Sequence, residues 1–173
     1  IDSNDVLAVT ISGTPTITQV NSVAGSTGGV VTATIASGNY TTQNTLTTAA
    51  TDVITLTVND EITVTQFDTL NGKTAGDITV SGGVSGTAAE FVSTAGVVTA
   101  SLTALDAQNT NFAVTTTDAT NIAQYDAING KNGNGSITVA SLADAIDNLV
   151  DNGSAHPAVA GTIAVALTTA TIT

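Results

Sequence analysis

The sequence predicts an α/β solenoid, a strand plus a short helix repeated in about seven to eight units whose strands form one parallel sheet. Three observations carry that expectation. The segment Val64-Thr65-Gln66-Phe67-Asp68-Thr69-Leu70-Asn71-Gly72-Lys73 returns as Ile122-Ala123-Gln124-Tyr125-Asp126-Ala127-Ile128-Asn129-Gly130-Lys131. Short runs elsewhere alternate apolar and small polar residues with the period of two expected of a sheet with one buried face. Between those runs, apolar residues fall at i, i+3 and i+6, which is one face of a short helix.

Taken along the chain, the inward column of the strands starts at Leu7, Val31, Ile54, Ile78, Val98, Phe112, Ile137 and Ile163. The first three intervals are 24, 23 and 24 residues, so residues 1–173 are expected to form a single repeat domain. Only the interval from Val98 to Phe112, 14 residues, is too short for a strand and a helix. Leu7, Val9 and Ile11 should point inward, as should Val31, Ala33 and Ile35, and Ile54, Leu56 and Val58. The opposite face carries a hydroxyl-rich ladder of Thr10, Thr32, Thr34, Thr55, Thr57, Thr79, Ser81, Thr99, Ser101, Thr115 and Thr138, diluted by Ala113, Ala140, Ala164 and Ala166.

Val64, Phe67 and Leu70, and their counterparts Ile122, Tyr125 and Ile128, define the clearest helices, with weaker copies at 17–23, 41–46, 88–92, 102–106 and 142–149. Thr, Ser or Asp tends to stand just ahead, where an N-cap is needed, and Asn-Gly follows, where a left-handed C-cap residue is expected. Strands joined through a crossover helix should be parallel. An all-β sandwich of many short strands is the alternative, ranked second because helical spacing follows each strand.

Composition narrows the function. Two lysines, no arginine and 14 acids give a net charge of −12, a surface that repels polyanions and so excludes nucleic acid as a partner. Apolar residues make up 42% of the chain and aromatics 3%, so the core must be built from Val, Ile, Leu, Ala and Thr. No segment reaches the run of about 20 apolar residues that membrane insertion requires. Absence of Cys and scarcity of tryptic sites fit an extracellular or cell-surface location. A chain that starts at Ile1 is expected to have lost a leader or to be a piece of a longer polypeptide.

The recurring order is a Thr-rich strand, then Thr-x-Gln-apolar-Asp/Asn-x-apolar, then Gly, then Val-Val-Thr-Ala-Thr-Ile. Carried by residues 17–35, 62–80, 86–105 and 122–139, it resembles the Thr/Ala-rich strand–helix repeats of giant bacterial surface and adhesin proteins of the cyanobacterial type. That resemblance implies a passive role in a fibre, adhesin stalk or surface layer, and it brings no catalytic residues with it. Those proteins are far longer, so a chain of this length would extend by joining copies of itself.

A search for chemistry points away from an enzyme. His156 is the sole histidine, with no second His or Cys for a metal site or nucleophile–base pair. Asp68, Asp106, Asp126 and Asp147 recur one per unit and read as a solvated face, because sugar hydrolysis also needs aromatics and Arg. Asp60, Glu61, Asp77, Asp118, Asp144, Asp147 and Asp151 lie near turns and leave calcium as the one cofactor to consider; otherwise none is expected. The run 82–86 reads as a glycine-rich turn, and Asn39, Asn134 and Asn152 head glycan-acceptor triplets. Lys73 and Lys131 follow Asn-Gly, where a cation meets the negative end of a helix.

The expected function is therefore structural: a self-assembling subunit or repeat segment of a secreted extracellular filament, surface layer or adhesin stalk, joined head to tail to copies of itself. Val6, Leu7, Val9 and Ile11 at one end, and Ile163, Val165, Leu167 and Ile172 at the other, are the expected assembly residues. The alternative is a surface-binding module that contacts ice or glycans through the outward hydroxyl ladder.

Overall fold

The protein is described by a computed structural model that covers residues 5–151, 154 and 155, in two compact units that part between Gly82 and Gly83. The first runs β1 (Val9–Thr10), α1 (Ile17–Ala24), β2 (Val31–Thr34), α2 (Tyr40–Gln43), β3 (Val53–Val58), β4 (Ile62–Thr63), α3 (Val64–Asn71) and β5 (Ile78–Val80). Its sheet has the order β1-β2-β3-β5, all parallel, with Val9 opposite Val31, Ala33 opposite Ile54 and Leu56 opposite Ile78. Val31, Ile54, Leu56, Val58 and Ile78 are fully buried, as are Val20 of α1 and Phe67 and Leu70 of α3.

The second unit runs β6 (Val84–Gly86), α4 (Ala88–Phe91), α5 (Ala100–Gln108), β7 (Val114–Thr120), α6 (Ile122–Asn129), β8 (Ile137–Leu142), α7 (Ile146–Leu149), β9 (Val150–Asp151) and β10 (Ser154–Ala155). β6, β7 and β8 pair in parallel, with Val84 opposite Val114 and Val114 opposite Ile137, while β9 and β10 form an antiparallel pair. Each unit is thus α/β with parallel strands, which is the coarse fold class the alternation and helical spacing predict. The sandwich alternative does not describe it, because helices lie between successive paired strands.

The helices start as their sequences dictate. Thr16, Thr63 and Asn121 are N-caps, each reciprocated by the glutamine three residues on (Gln19, Gln66, Gln124), and Thr87 pairs with Glu90 in the same way. Their ends differ from expectation. Gly25, Gly72 and Gly130 follow α1, α3 and α6 at φ of −72°, −72° and −70°, right-handed rather than left-handed. The last turn instead tightens into i→i+3 bonds, Ser26 N–H to the Val23 carbonyl, Lys73 to Leu70 and Lys131 to Ile128, which satisfies those carbonyls without a left-handed residue.

Two strand assignments change. Val98 does not start a strand, and Thr99 and Ser101 do not belong to the outward ladder. Val98 makes only an isolated antiparallel bridge to Val92, Thr99 is the N-cap of α5 with its hydroxyl accepting the Leu102 N–H at 3.3 Å, and Ser101 lies inside that helix. Leu102 and Leu105, buried at i, i+3 spacing, outweigh the local alternation. The missing strand is β6, in the run read as a glycine-rich turn, where Val84 is buried and its N–H reaches the Ala113 carbonyl at 2.9 Å.

Candidate functional site

Consecutive strand–helix segments are tied by side chains that reach back to the preceding segment. The Thr27 hydroxyl accepts the Leu7 N–H at 3.2 Å and the Gly29 N–H at 3.0 Å, and the Thr74 hydroxyl accepts the Ile54 N–H at 2.7 Å and the Gly76 N–H at 2.8 Å. Asp52, 5% exposed, does the same for β2, one oxygen taking the Val31 N–H and the other the Ala49 N–H, both at 2.8 Å. In the second unit the Asn132 amide donates to the Phe112 carbonyl at 3.4 Å. Buried backbone groups at strand starts need such partners.

A second series closes helix N-termini. The Asp60 carboxylate accepts the Tyr40 N–H at 2.9 Å, Asp118 that of Ala88 at 2.7 Å, and Asp144 that of Ile122 at 2.9 Å, each at the first residue of α2, α4 and α6. Three acids weighed as cation ligands thus hold backbone N–H groups. Among the described residues no three His, Cys, Asp or Glu side chains converge on a point suited to a metal ion. The Asn148 amide, with the Ile122 and Ala145 N–H groups, holds the Asp144 carboxyl below its ordinary value against a smaller opposing effect of desolvation.

The two lysines part company. Lys73 Nζ donates to the carbonyls of Asn44 and Leu46, at the end of α2, and desolvation lowers its pKa. It therefore meets the negative end of the preceding helix rather than its own. Lys131 instead forms an ion pair with Asp106 at 2.9 Å, both side chains about one-third exposed.

The hydroxyl ladder is partly assembled. Thr10 stands opposite Thr32, Thr34 opposite Thr55, and Thr57 opposite Thr79, while Ser85 and Thr115, then Thr115 and Thr138, pair across β6, β7 and β8. Thr10, Thr34, Thr79, Ser81 and Thr138 are exposed, whereas Thr32, Thr55, Thr57 and Thr115 are half-buried. Val53, opposite Thr32 and 38% exposed, breaks the first hydroxyl row.

The β1 end of the first unit is the least covered apolar region of that unit. Thr27 on Leu7 and Thr74 on Ile54 make Leu7 the counterpart of Ile54, so Val9 matches Leu56 and Ile11 matches Val58; the capping boxes match Ile17 with Val64 and Val23 with Leu70. Ile54, Leu56, Val58, Val64 and Leu70 are all buried, but Leu7 is 51% exposed and Val9, Ile11, Ile17 and Val23 are only half-buried. Leu7 is thus not the buried inward residue that alternation predicts, because β1 is the edge of its sheet. Val6 beside it is 84% exposed, and Ile11, Pro15, Gln19 and Val23 line an open hollow of about 550 Å³. Ile163, Val165, Leu167, Ile172 and His156 lie outside the described residues. The sequence signals the capping threonines and glutamines, but the reach-back roles of Thr27, Asp52, Thr74 and the capping acids depend on which segments stack. Comparison with protein-family models, curated proteins and solved structures returned no match.

Proposed function

We propose that this chain is a structural subunit or repeat segment of an extracellular filament, surface layer or adhesin stalk, a solenoid of about seven to eight strand–helix layers that extends head to tail through further copies. The observation that carries the reading is the incomplete burial of the β1–α1 end. Five of the six matched apolar positions there, Leu7, Val9, Ile11, Ile17 and Val23, are more exposed than their counterparts around β3 and α3, while Val20 is as buried as Phe67. A strand edge next to uncovered apolar side chains is a template for another strand. The described carboxylates that hold backbone N–H groups, Asp52, Asp60, Asp118 and Asp144, support a scaffold rather than a catalyst. Scarce positive charge and absent cysteine suit a location outside the cell.

Sedimentation velocity across a concentration series, with negative-stain imaging, tests the proposal. Regular fibres and mass-dependent association are expected; discrete monomers at every concentration would overturn it.

The facing threonine pairs favour one second reading, a module that binds ice or a glycan surface. Hydroxyls on adjacent strands recur at the strand spacing of about 4.8 Å. Concentrated protein that left ice growth and glycan-array binding unchanged would dispose of that reading.

A further inference from the structure

Asn39 and Asn121 are both asparagine N-caps, but their side-chain amides are engaged differently. Asn121 Oδ1 accepts the Gln124 N–H at 2.8 Å while its Nδ2 donates to the Thr94 carbonyl at 2.9 Å. Asn39 Oδ1 likewise accepts the Thr42 N–H at 2.9 Å, yet its Nδ2 meets no acceptor among the described residues. Asn21 and Asn132 also have Nδ2 engaged, with the Thr45 carbonyl at 2.9 Å and the Gly135 carbonyl at 2.6 Å. Asn39 is exposed, whereas Asn21 and Asn121 are half-buried and Asn132 is buried.

Asn134, exposed in the turn between α6 and β8, has the same free amide. Its backbone N–H donates to Asn111 Oδ1 at 2.8 Å, which holds the main chain, and its Nδ2 has no partner among the described residues. These two are the described asparagines that head an Asn-x-Ser/Thr triplet, Asn39-Tyr40-Thr41 and Asn134-Gly135-Ser136. Thr41 and Ser136 are exposed as well, and neither hydroxyl has a hydrogen bond among the described residues. Glycan transfer to asparagine requires both groups in the open: the nitrogen that is substituted and the hydroxyl two residues on by which the acceptor is recognised.

We propose that Asn39 and Asn134 are N-glycosylation sites, each taking a sugar chain from a lipid diphosphate-linked donor. The amide nitrogen attacks the anomeric carbon. A C–N bond forms as the C–O bond to the diphosphate breaks, the lipid diphosphate leaves with the electron pair, and the amide gives up one proton. Oδ1 takes no part in the new bond, so the cap on the Thr42 N–H survives at Asn39. At Asn21, Asn121 or Asn132 the same substitution would displace a hydrogen bond between segments. The product is a bulky, polar group at the surface. The assignment rests on the extracellular location in the filament reading, since this acceptor triplet is used in secreted chains.

Lys73 and Lys131 are the only trypsin sites, so digestion yields residues 1–73 with the Asn39 triplet, 74–131 with none, and 132–173 with the Asn134 and Asn152 triplets. The experiment uses the full chain, exported from its source cells, in an Asn152→Gln background that leaves one triplet in each outer fragment. By mass spectrometry both outer fragments should be heavier than their sequences by whole sugar residues, and the middle one should weigh what its sequence predicts. Thr41→Ala and Ser136→Ala, folded by circular dichroism, should each lose the added mass from their own fragment alone. Outer fragments at their sequence mass would overturn the proposal, as would sugar that persists in those variants or also appears on 74–131, which would mark attachment to hydroxyls. Sugar-free chains that form fibres would overturn the glycan sites and leave the filament reading standing; glycosylated chains that stay monomeric would do the opposite.

Discussion

Asp144 closes the N-terminus of α6 from 22 residues away, its carboxylate accepting the Ile122 N–H at 2.9 Å. The same carboxylate takes the Ala145 N–H and the Asn148 amide, both of which favour the charged form. Asp144→Ala should destabilise the protein by about 1 kcal/mol, the usual cost of a lost cap. Because the folded-state pKa is lowered, the contribution is fully present above the ordinary carboxylate value of 3.8 and is lost as pH falls through the folded value. Urea titrations at pH 7 and at pH 3 should show the gap between wild type and Asp144→Ala narrowing at the lower pH; a constant gap would refute the assignment.

Thr74 is the buried hub between β3 and the turn that leads to β5. Its hydroxyl accepts the N–H groups of Ile54 and Gly76, and the Asp52 and Ile54 carbonyls lie at 3.0 and 2.8 Å as acceptors for its proton. Thr74→Val keeps the shape and removes the acceptor, leaving buried N–H groups unpaired. A loss of about 1 to 3 kcal/mol is expected. Thr79→Val, at an exposed outward position, serves as the control and should change the urea midpoint little.

What could be read in the sequence was local. The duplicated decapeptide predicts α3 and α6, and Thr16, Thr63 and Asn121 stand where caps belong, because capping chemistry acts over three or four residues. Val97-Val98-Thr99 misleads because a Thr before Leu102 and Leu105 caps a helix as readily as it alternates in a strand. The glycines around Val84 conceal β6, whose place is set by its pairing with β7. Asp60, Asp118 and Asp144 read as cation ligands because their partners Tyr40, Ala88 and Ile122 lie 20 to 30 residues upstream. Only the stacking of segments decides that relation, and the exposure of Leu7 likewise follows from its edge position.

Lys73 and Lys131 occupy matching positions in the duplicated decapeptide and should respond differently to removal. Lys131→Met breaks an ion pair with Asp106 whose side chains are about one-third exposed, and should cost less than about 1 kcal/mol, falling further with added salt. Lys73→Met withdraws a charged donor from the carbonyls of Asn44 and Leu46 and should cost about 1 to 2 kcal/mol. Chemical denaturation of both variants at low and high salt separates the cases. Equal costs would mean that the Lys73 contacts contribute no more than a surface pair.

Gly72 and Gly76, four residues apart, should respond to alanine in opposite directions. At Gly72 φ is −72° and a Cβ would lie 3.5 Å from the Asp68 carbonyl oxygen, an ordinary contact. With no need for a left-handed residue, Gly72→Ala should stabilise by about 0.4 to 1 kcal/mol through reduced freedom of the unfolded chain. At Gly76 a Cβ would come within 2.5 Å of the Ile54 carbonyl oxygen and 2.6 Å of its carbon, backbone atoms that the Thr74 bond to the Ile54 N–H holds in place. Gly76→Ala must push β3 and the approach to β5 apart, at about 1 to 3 kcal/mol. Thermal and urea unfolding of the two variants side by side decides the point. A stabilised Gly76→Ala protein would show that the close approach of these successive segments is not required.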